Sequence, residues 1–341
     1  MKKIAVVLLN FNGADFLKQF LPGIIQHTPF TGAEVDIYII DNASTDDSLN
    51  LLKTDFSSVK VIALDKNYGF AEGYNQGLED IDADYFLLLN TDVEVTPNWI
   101  EPLFKLMESD ESIKVCQPKI LSWHQKDTFE HSGAAGGFLD FLGYPFCRGR
   151  IMDTLEKDTG QYDDTKEVFW ATGAALMIRA DEFDERVGFA GHFFAHMEEI
   201  DLCWRIKNTG GKIFACPESY VYHVGGGALP YNSPRKIYLN FRNNLFLITR
   251  NDRSGFTGLK IFTRLILDGL AGLKFLFEGK PKHTGAVLRA HFTFYGRLGQ
   301  TIKERRALEK LDTHSSRGLR LHEDSIVWAY FVKGKKHFTD L

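Results

Sequence analysis

The N-terminal third of the chain alternates short apolar runs with amphipathic stretches. Residues 4–9 (IAVVLL), 35–41 (VDIYIID), 59–64 (VKVIAL) and 84–90 (DYFLLLN) are strand-length and nearly continuous in apolar character, as strands covered on both faces are. Between them, DFLKQFLPGIIQHT (15–28), STDDSLNLLKTD (44–55) and GFAEGYNQGLEDI (69–81) read as helices. The second opens on Ser44 and Thr45 as capping residues, followed by acids, and the third on glycines. Three β-α-β steps result, so the pattern predicts an α/β fold built on a doubly wound, mostly parallel, Rossmann-like sheet. Ligands gather at the carboxyl ends of such strands, which places Asn10, Asp41, Asp65 and Asn90 to Asp92 on one rim.

From Trp99 to Trp170 the pattern weakens. GAAGGFLDFLGYPF (133–146) reads as a loop, either a mobile one that closes over a ligand or a plain surface connection. Regularity returns with a strand at 168–180, a helix at 197–211 ended by Gly210 and Gly211, and two extended pieces at 212–218 and 220–227. In LKIFTRLILDGLAGLKFLF (259–277), Lys260, Arg264, Asp268 and Lys274 fall on one narrow helical arc with apolar residues around the rest. Such a helix lies flat in a membrane interface or packs widely against the body. SIVWAYFVKGKK (325–336) sets Trp328, Tyr330 and Phe331 beside three lysines, which suits an interfacial anchor or burial against the body.

Composition narrows the class. The 341 residues are 44% hydrophobic and 25% charged, enough for a substantial core and unlike a disordered or low-complexity chain. Cys116, Cys147, Cys203 and Cys216 form no CxxC pair, so neither a disulfide framework nor a cysteine zinc site is expected, and a reducing compartment fits. The net charge of −5 conceals an asymmetry. Residues 1–234 carry 19 Lys and Arg against 36 Asp and Glu, whereas residues 235–341 carry 21 against 9. The expectation is a catalytic domain over 1–234 and a basic, mostly helical region over 235–341. Its positive charge suits an anionic membrane surface or simply a solvated face, and nucleic acid is not an expected partner. Met1 to Lys3 precede only six apolar residues, too few for a secretory signal, and no run reaches the length of a spanning helix. The expected location is the cytoplasm, at most peripheral on the inner face of the cytoplasmic membrane.

Asn90-Thr91-Asp92 ends an apolar strand. A short acidic motif there can hold a hard cation such as Mg²⁺ or Mn²⁺ against a diphosphate, although Asn-x-Asp also makes an ordinary turn. Its company is more specific. IIDNASTDDS (39–48), KNYGFAEGYNQGL (66–78), LLLNTDVEV (87–95) and HMEEIDLCWRIKNTGGKI (196–213), in that order, resemble the inverting nucleotide-sugar glycosyltransferases of family 2, which have the GT-A fold. The resemblance spans about residues 3–250 and is nearest the branch of bacterial rhamnosyltransferases and surface-polysaccharide enzymes.

The resemblance implies a UDP- or dTDP-sugar donor, a glycan or lipid-linked glycan acceptor, and Mn²⁺ or Mg²⁺. Asp41 matches the acid that reads the base N–H. Asn10 and Asn12 match the first nucleotide loop, and Asn67, Gly69, Gly73 and Asn75 match the NxGFxxGxN element. Asn90 and Asp92 match the DxD motif with its first acid replaced, and His223 matches a histidine that completes the metal shell in some relatives. Trp170, Thr172 and Gly173 match an acceptor-side element, and Arg242 and Asn243 an Arg-Asn pair in which Arg242 approaches the diphosphate. Glu198 and Glu199 stand where the family has Glu-Asp. Alignment gives Glu199 the part of general base, and Asp201 and Arg205 should form a supporting ion pair. Two other classes stay open: a nucleotidyltransferase, though LLNFNGADF lacks that class's basic residue after the first strand, and a non-catalytic carbohydrate-binding relative.

Overall fold

A computed structural model describes residues 1–183, 188–225, 233–312 and 321–341; Gly226 and Gly227 of the 220–227 piece lie outside them. The first four apolar runs form β1 (Lys3–Asn10), β2 (Glu34–Asp41), β3 (Lys60–Ala63) and β4 (Tyr85–Leu89), all parallel, in the order β4-β1-β2-β3. Val6 lies opposite Ile37 on one side and Leu87 on the other. Beyond β4, β12 (Ala175–Arg179) runs antiparallel to both β4 and β6 (Ile113–Ser122). β13 (Lys212–His223) then runs parallel to β6 and carries the short strands β5 (Val93–Val95) and β11 (Lys166–Glu167). The two extended pieces expected at 212–227 are thus one strand, irregular between Cys216 and Tyr220.

Alternation along β1 fills both faces. Ile4, Val6 and Leu8 pack with Leu17, Leu21 and Ile24 of α1 (Ala14–His27) and Leu103 and Met107 of α4 (Ile100–Ser109). Ala5 and Val7 join the other layer, which includes Tyr74 of α3 (Gly69–Leu78), Leu202 of α5 (Glu198–Asn208) and Phe246 of α6 (Pro234–Asn251). α2 (Ser48–Asp55) begins later than its sequence suggests, because Ser44 and Thr45 bond Asn12 instead of capping it.

Residues 133–146 are not a loop over a cleft. They feed a small antiparallel sheet of β7 (Gly137–Leu139), β8 (Pro145–Cys147), β9 (Arg150–Ile151) and β10 (Thr154–Leu155), with Ala135, Leu139 and Phe146 buried.

After α6 come α7 (Thr257–Phe277), α8 (Pro281–Leu308) and α9 (Ile326–Phe331). α6 is tied to the body by Arg250 and Asn251, which donate to Asp201 at 2.9 and 2.7 Å. α7 has the amphipathic pattern expected, with Lys260, Arg264 and Asp268 of its charged arc turned inward and Lys274 exposed. Arg264 and Asp268 are buried, the Arg264 guanidinium lying 3.6 Å from the Tyr144 ring centre and donating to the Leu142 carbonyl. The apolar arc faces outward: Phe262, Ile266, Leu270 and Phe277 are 51–87% exposed. Among the described residues no helix is long and apolar enough to cross a membrane.

Candidate active site

The carboxyl ends of β1 and β2 are laced into one rim. Asp41 is fully buried, its carboxylate accepting from Asn10 Nδ2 and from the Ser44 amide, each at 2.9 Å. Asn12, at φ 52°, donates its amide to Ser44 Oγ and accepts from Thr45 at 2.7 Å. The loop after β1 is therefore held in shape by the loop after β2, and Asn10 Oδ1 is left buried without a hydrogen-bond partner. Thr91, in the motif after β4, approaches the same loop at Gly13.

The NxGFxxGxN residues divide. Asn67 accepts from the Gly69 amide and from Asn42, and Asn42 also takes the Tyr68 amide, so the turn into α3 is built from side-chain amides. Gly69 has φ 82°, and a Cβ there would lie 2.6 Å from the Phe194 ring, which only glycine avoids. Gly73 packs on Leu9 and Asn42. Asn75 bonds both backbone groups of Phe189, at 2.8 and 2.9 Å. Gly73 and Asn75 thus hold the scaffold and the 189 segment rather than facing open space.

At the end of β4 the Asp92 carboxylate lies 3.1 Å from His223 Nε2, and Asn90 Nδ2 lies 3.4 Å from the same nitrogen. His223 Nδ1 faces Glu130 Oε2 at 3.2 Å. Burial by itself would lower the imidazole pKa, but Asp92 and Glu130 outweigh it and raise the group to about 10. Among the described residues no group of three or more His, Cys, Asp or Glu is disposed to hold a metal. What exists is a carboxylate and an imidazole side by side, the ring fixed from behind by a second carboxylate. A divalent cation held there would replace the proton on His223 Nε2, giving two protein ligands and leaving the remaining positions open to a diphosphate. Glu130 carries no motif signal, and only the tertiary fold brings it to His223.

The acidic pair opens α5. Phe194, His196 and Met197 all have positive φ, at 69°, 70° and 73°, so the chain reaches Glu198 through a left-handed turn that non-glycine residues adopt only when constrained. The constraint comes from α6. Asn243 Nδ2 donates to the carbonyls of Phe193, Ala195 and His196 at 3.1, 2.9 and 2.7 Å, and Arg242 Nη2 donates to those of His192 and Phe193. Glu198 is buried and Glu199 partly so, and each has an Oε2 without a hydrogen-bond partner. Burial raises Glu199 to about 7, and burial together with the neighbouring Glu199 pushes Glu198 well above the usual carboxyl range. Two residues on, Asp201 stays ionised. Burial opposes its charge, but Arg250 and the expected i, i+4 partner Arg205 hold its carboxyl well below the usual range.

On the acceptor side only Gly173 is partly open. Trp170 is buried, donating to the Phe138 carbonyl and covering Gly137, and Thr172 is buried with its amide on Gln117 and its hydroxyl accepting from Ala174. Both pack in the core, as a buried-strand reading of Trp170 has it. The loop they belong to still links the two halves of the site. Its Ala174 carbonyl accepts from the Asn90 amide at 2.9 Å, while Gly173 faces Phe70 and Glu199, where an added Cβ would lie 3.8 Å from that of Glu199.

Comparison with known proteins agrees with this arrangement. The family model described as Glycosyl transferase family 2 matches residues 5–186. The "Low-salt glycan biosynthesis hexosyltransferase Agl10" of Haloferax volcanii is 23% identical over 297 residues, covering 84% of this chain and 88% of its own. The "N-acetylglucosaminyl-diphospho-decaprenol L-rhamnosyltransferase" of Mycobacterium tuberculosis is 23% identical over 235 residues, 64% of this chain and 75% of its own. Among solved structures, GalNAc-T7 with UDP, GalNAc and Mn²⁺ superposes with a TM-score of 0.55 at 20% identity, covering 73% of this chain and 49% of that one. This likeness establishes the GT-A fold. The chain is a glycosyltransferase and belongs to glycosyl transferase family 2.

Proposed function

We infer that this enzyme is an inverting, divalent-cation-dependent transferase that moves a sugar from a UDP- or dTDP-sugar to a hydroxyl of a lipid-linked surface glycan. The observation that carries the reading is the junction at residues 172–174, which joins Asn90 of the Asp92–His223 pair to Glu199 through one short loop. Support for the acceptor class comes from the rhamnosyltransferase relative, whose name includes a diphospho-decaprenol.

In this mechanism Asp92 and His223 would hold Mn²⁺ or Mg²⁺, which when bound would supply positive charge beside the diphosphate. Glu130 keeps the His223 ring turned toward Asp92. The interlocked loops of Asn10, Asn12 and Asp41, together with the Asn67–Gly69 turn, form the donor cradle. Glu199 takes the proton from the acceptor hydroxyl as that oxygen attacks the anomeric carbon, and the sugar–phosphate bond breaks on the opposite face, inverting the centre. Glu198 is buried beside this base, and burial pushes the Glu198 carboxyl well above the usual range. The exposed apolar arc of α7, together with Trp328 and Phe331 of α9, rests on an anionic membrane at its cytoplasmic face.

The test is a donor screen with Mn²⁺ that reads nucleoside diphosphate release from UDP-, dTDP- and GDP-sugars. Release from UDP- or dTDP-sugars alone is the expected result, and a preference for a GDP-sugar would overturn the donor assignment.

A further inference from the structure

We propose that a cationic cavity between α6 and α8 seats the diphosphate of a polyprenyl-linked acceptor. The cavity encloses about 690 Å³, and Phe194, Arg235, Tyr238, Arg242, Lys282 and Arg289 line it. Four cations converge there, and no carboxylate is among the lining residues. Among the described residues, Arg235, Lys282 and Arg289 have no acidic partner within ion-pair distance. The rings hold two of the guanidiniums in place. Arg235 lies 5.0 Å from the Phe194 ring centre and Arg289 lies 4.9 Å from that of Tyr238. Arg235, Lys282 and Arg289 are exposed to the cleft, where an anionic ligand would meet their charges.

Two features separate this site from the donor's. Its three exposed cations, Arg235, Lys282 and Arg289, come from α6 and α8, none from the strand ends that carry Asp92 and His223. Arg242, which the family resemblance sets near the donor diphosphate, spends its guanidinium on Asn243, Tyr238 and the carbonyls of His192 and Phe193. Phe194 is the wall shared with the donor cradle, since its ring abuts Gly69 and its carbonyl accepts from the Phe70 amide at 2.8 Å. A diphosphate seated behind Phe194 would therefore lie beside the reaction centre without competing for it.

The surroundings favour a lipid-borne diphosphate over a soluble one. Lys282 and Arg289 stand on one stripe of α8, and Phe292 follows Arg289 by three residues on neighbouring helix surface. Leu288, Phe292 and Tyr295 are all more than half exposed, as is much of the apolar arc of α7 beside it. Gly285, also on the lining stripe, has open space where a side chain would begin. A charged cleft bordered by exposed apolar surface matches an amphiphile with an anionic head and a hydrocarbon chain.

The inference rests on the acceptor being lipid-linked, and its test is independent of transfer. Binding of geranylgeranyl diphosphate to the full chain in detergent would be measured for the parent, for Lys282→Gln with Arg289→Gln, and for Gly285→Phe. UDP affinity in the presence of Mn²⁺ is measured alongside. The expected result is a loss of about tenfold or more in geranylgeranyl diphosphate affinity in both variants, with UDP affinity unchanged. Geranylgeraniol, which lacks the charge, should bind weakly. Equal affinity in parent and variants overturns the proposal. Loss of UDP affinity in the same variants would assign the cavity to the donor, and equal displacement by phosphatidylglycerol vesicles would make it a general headgroup site; each overturns it. The donor reading stands or falls separately, on the metal dependence of UDP binding.

Discussion

The side-chain amide of Asn243 donates to the His196 carbonyl at 2.7 Å, so a helix outside the sheet fixes the left-handed turn from which Glu198 and Glu199 emerge. This makes Asn243 a positioning residue. Replacing it by Ala or by Asp removes all three donated bonds, because a carboxylate has no N–H to give. Both variants should lose on the order of 10² in kcat while nucleotide affinity and acceptor KM hold, since misplacing a reacting group by about 1 Å costs this much. The midpoint of the pH–rate profile should also move as the carboxylate leaves its buried position. Equal loss in donor affinity would instead mean general unfolding of the cradle.

For the cation, Asp92→Ala should abolish metal-dependent UDP or dTDP binding in calorimetry while the melting temperature stays near that of the parent. Glu130→Gln should weaken cation affinity by about 10- to 100-fold, because it loosens the ring of His223 without removing a ligand. Unchanged affinity in Asp92→Ala would remove the cation site from β4.

The inverted α7 gives a test of membrane docking. Full-length protein should float with anionic liposomes at low salt and come off as salt rises, because each Lys or Arg near such a surface contributes about 1 kcal/mol. Phe277→Glu, at a position 87% exposed, should reduce flotation without lowering stability. If the parent ignores anionic vesicles, the outward apolar arc serves another contact.

Which parts of this were legible in the sequence follows from how the information is carried. β1, β2 and β4 lie between layers of helices, so their burial on both faces is written into continuous apolar runs. The small sheet at 137–155 uses strands of two or three residues, too short to show any period, and its glycines mimic a loop. The periodicity of α7 revealed an amphipathic helix but not which arc turns inward; that depends on Tyr144 and the Leu142 carbonyl, more than a hundred residues earlier. The motifs named Asp92 and His223, and the fold sets them 3.1 Å apart. Glu130 and the clamp made by Asn243 were not identifiable from motifs, because each acts through one tertiary contact that no local spacing encodes. Trp170 and Thr172 show the converse: a motif match can mark a residue that the fold uses as core.

The sharpest discrimination concerns the acidic pair. Burial disfavours the charge on both and raises both carboxyls above the usual range, Glu199 to about 7. A base must be unprotonated, so transfer should rise with pH through about 7 and then level. Glu199→Gln should keep nucleotide affinity, lose about 10² to 10⁴ in rate and lose that pH step; Glu198→Gln should do less harm. Stability gives an independent reading. A carboxyl whose folded pKa is raised contributes stability that is complete below its unfolded pKa of 4.5 and is lost as pH climbs through about 7. Glu199→Gln removes that loss, so the variant should gain on the parent across these limits, by on the order of 3 kcal/mol. Urea unfolding at pH 4.5 and pH 8 measures it. A catalytic loss together with a pH-dependent stability gain marks Glu199 as a base held in a costly buried position. The reverse ranking in the transfer assay would move the role to Glu198, and mild effects at both positions would leave neither as the base. Glu199→Asp, which shortens the arm by one methylene, should retain part of the rate if the carboxylate reaches the acceptor directly.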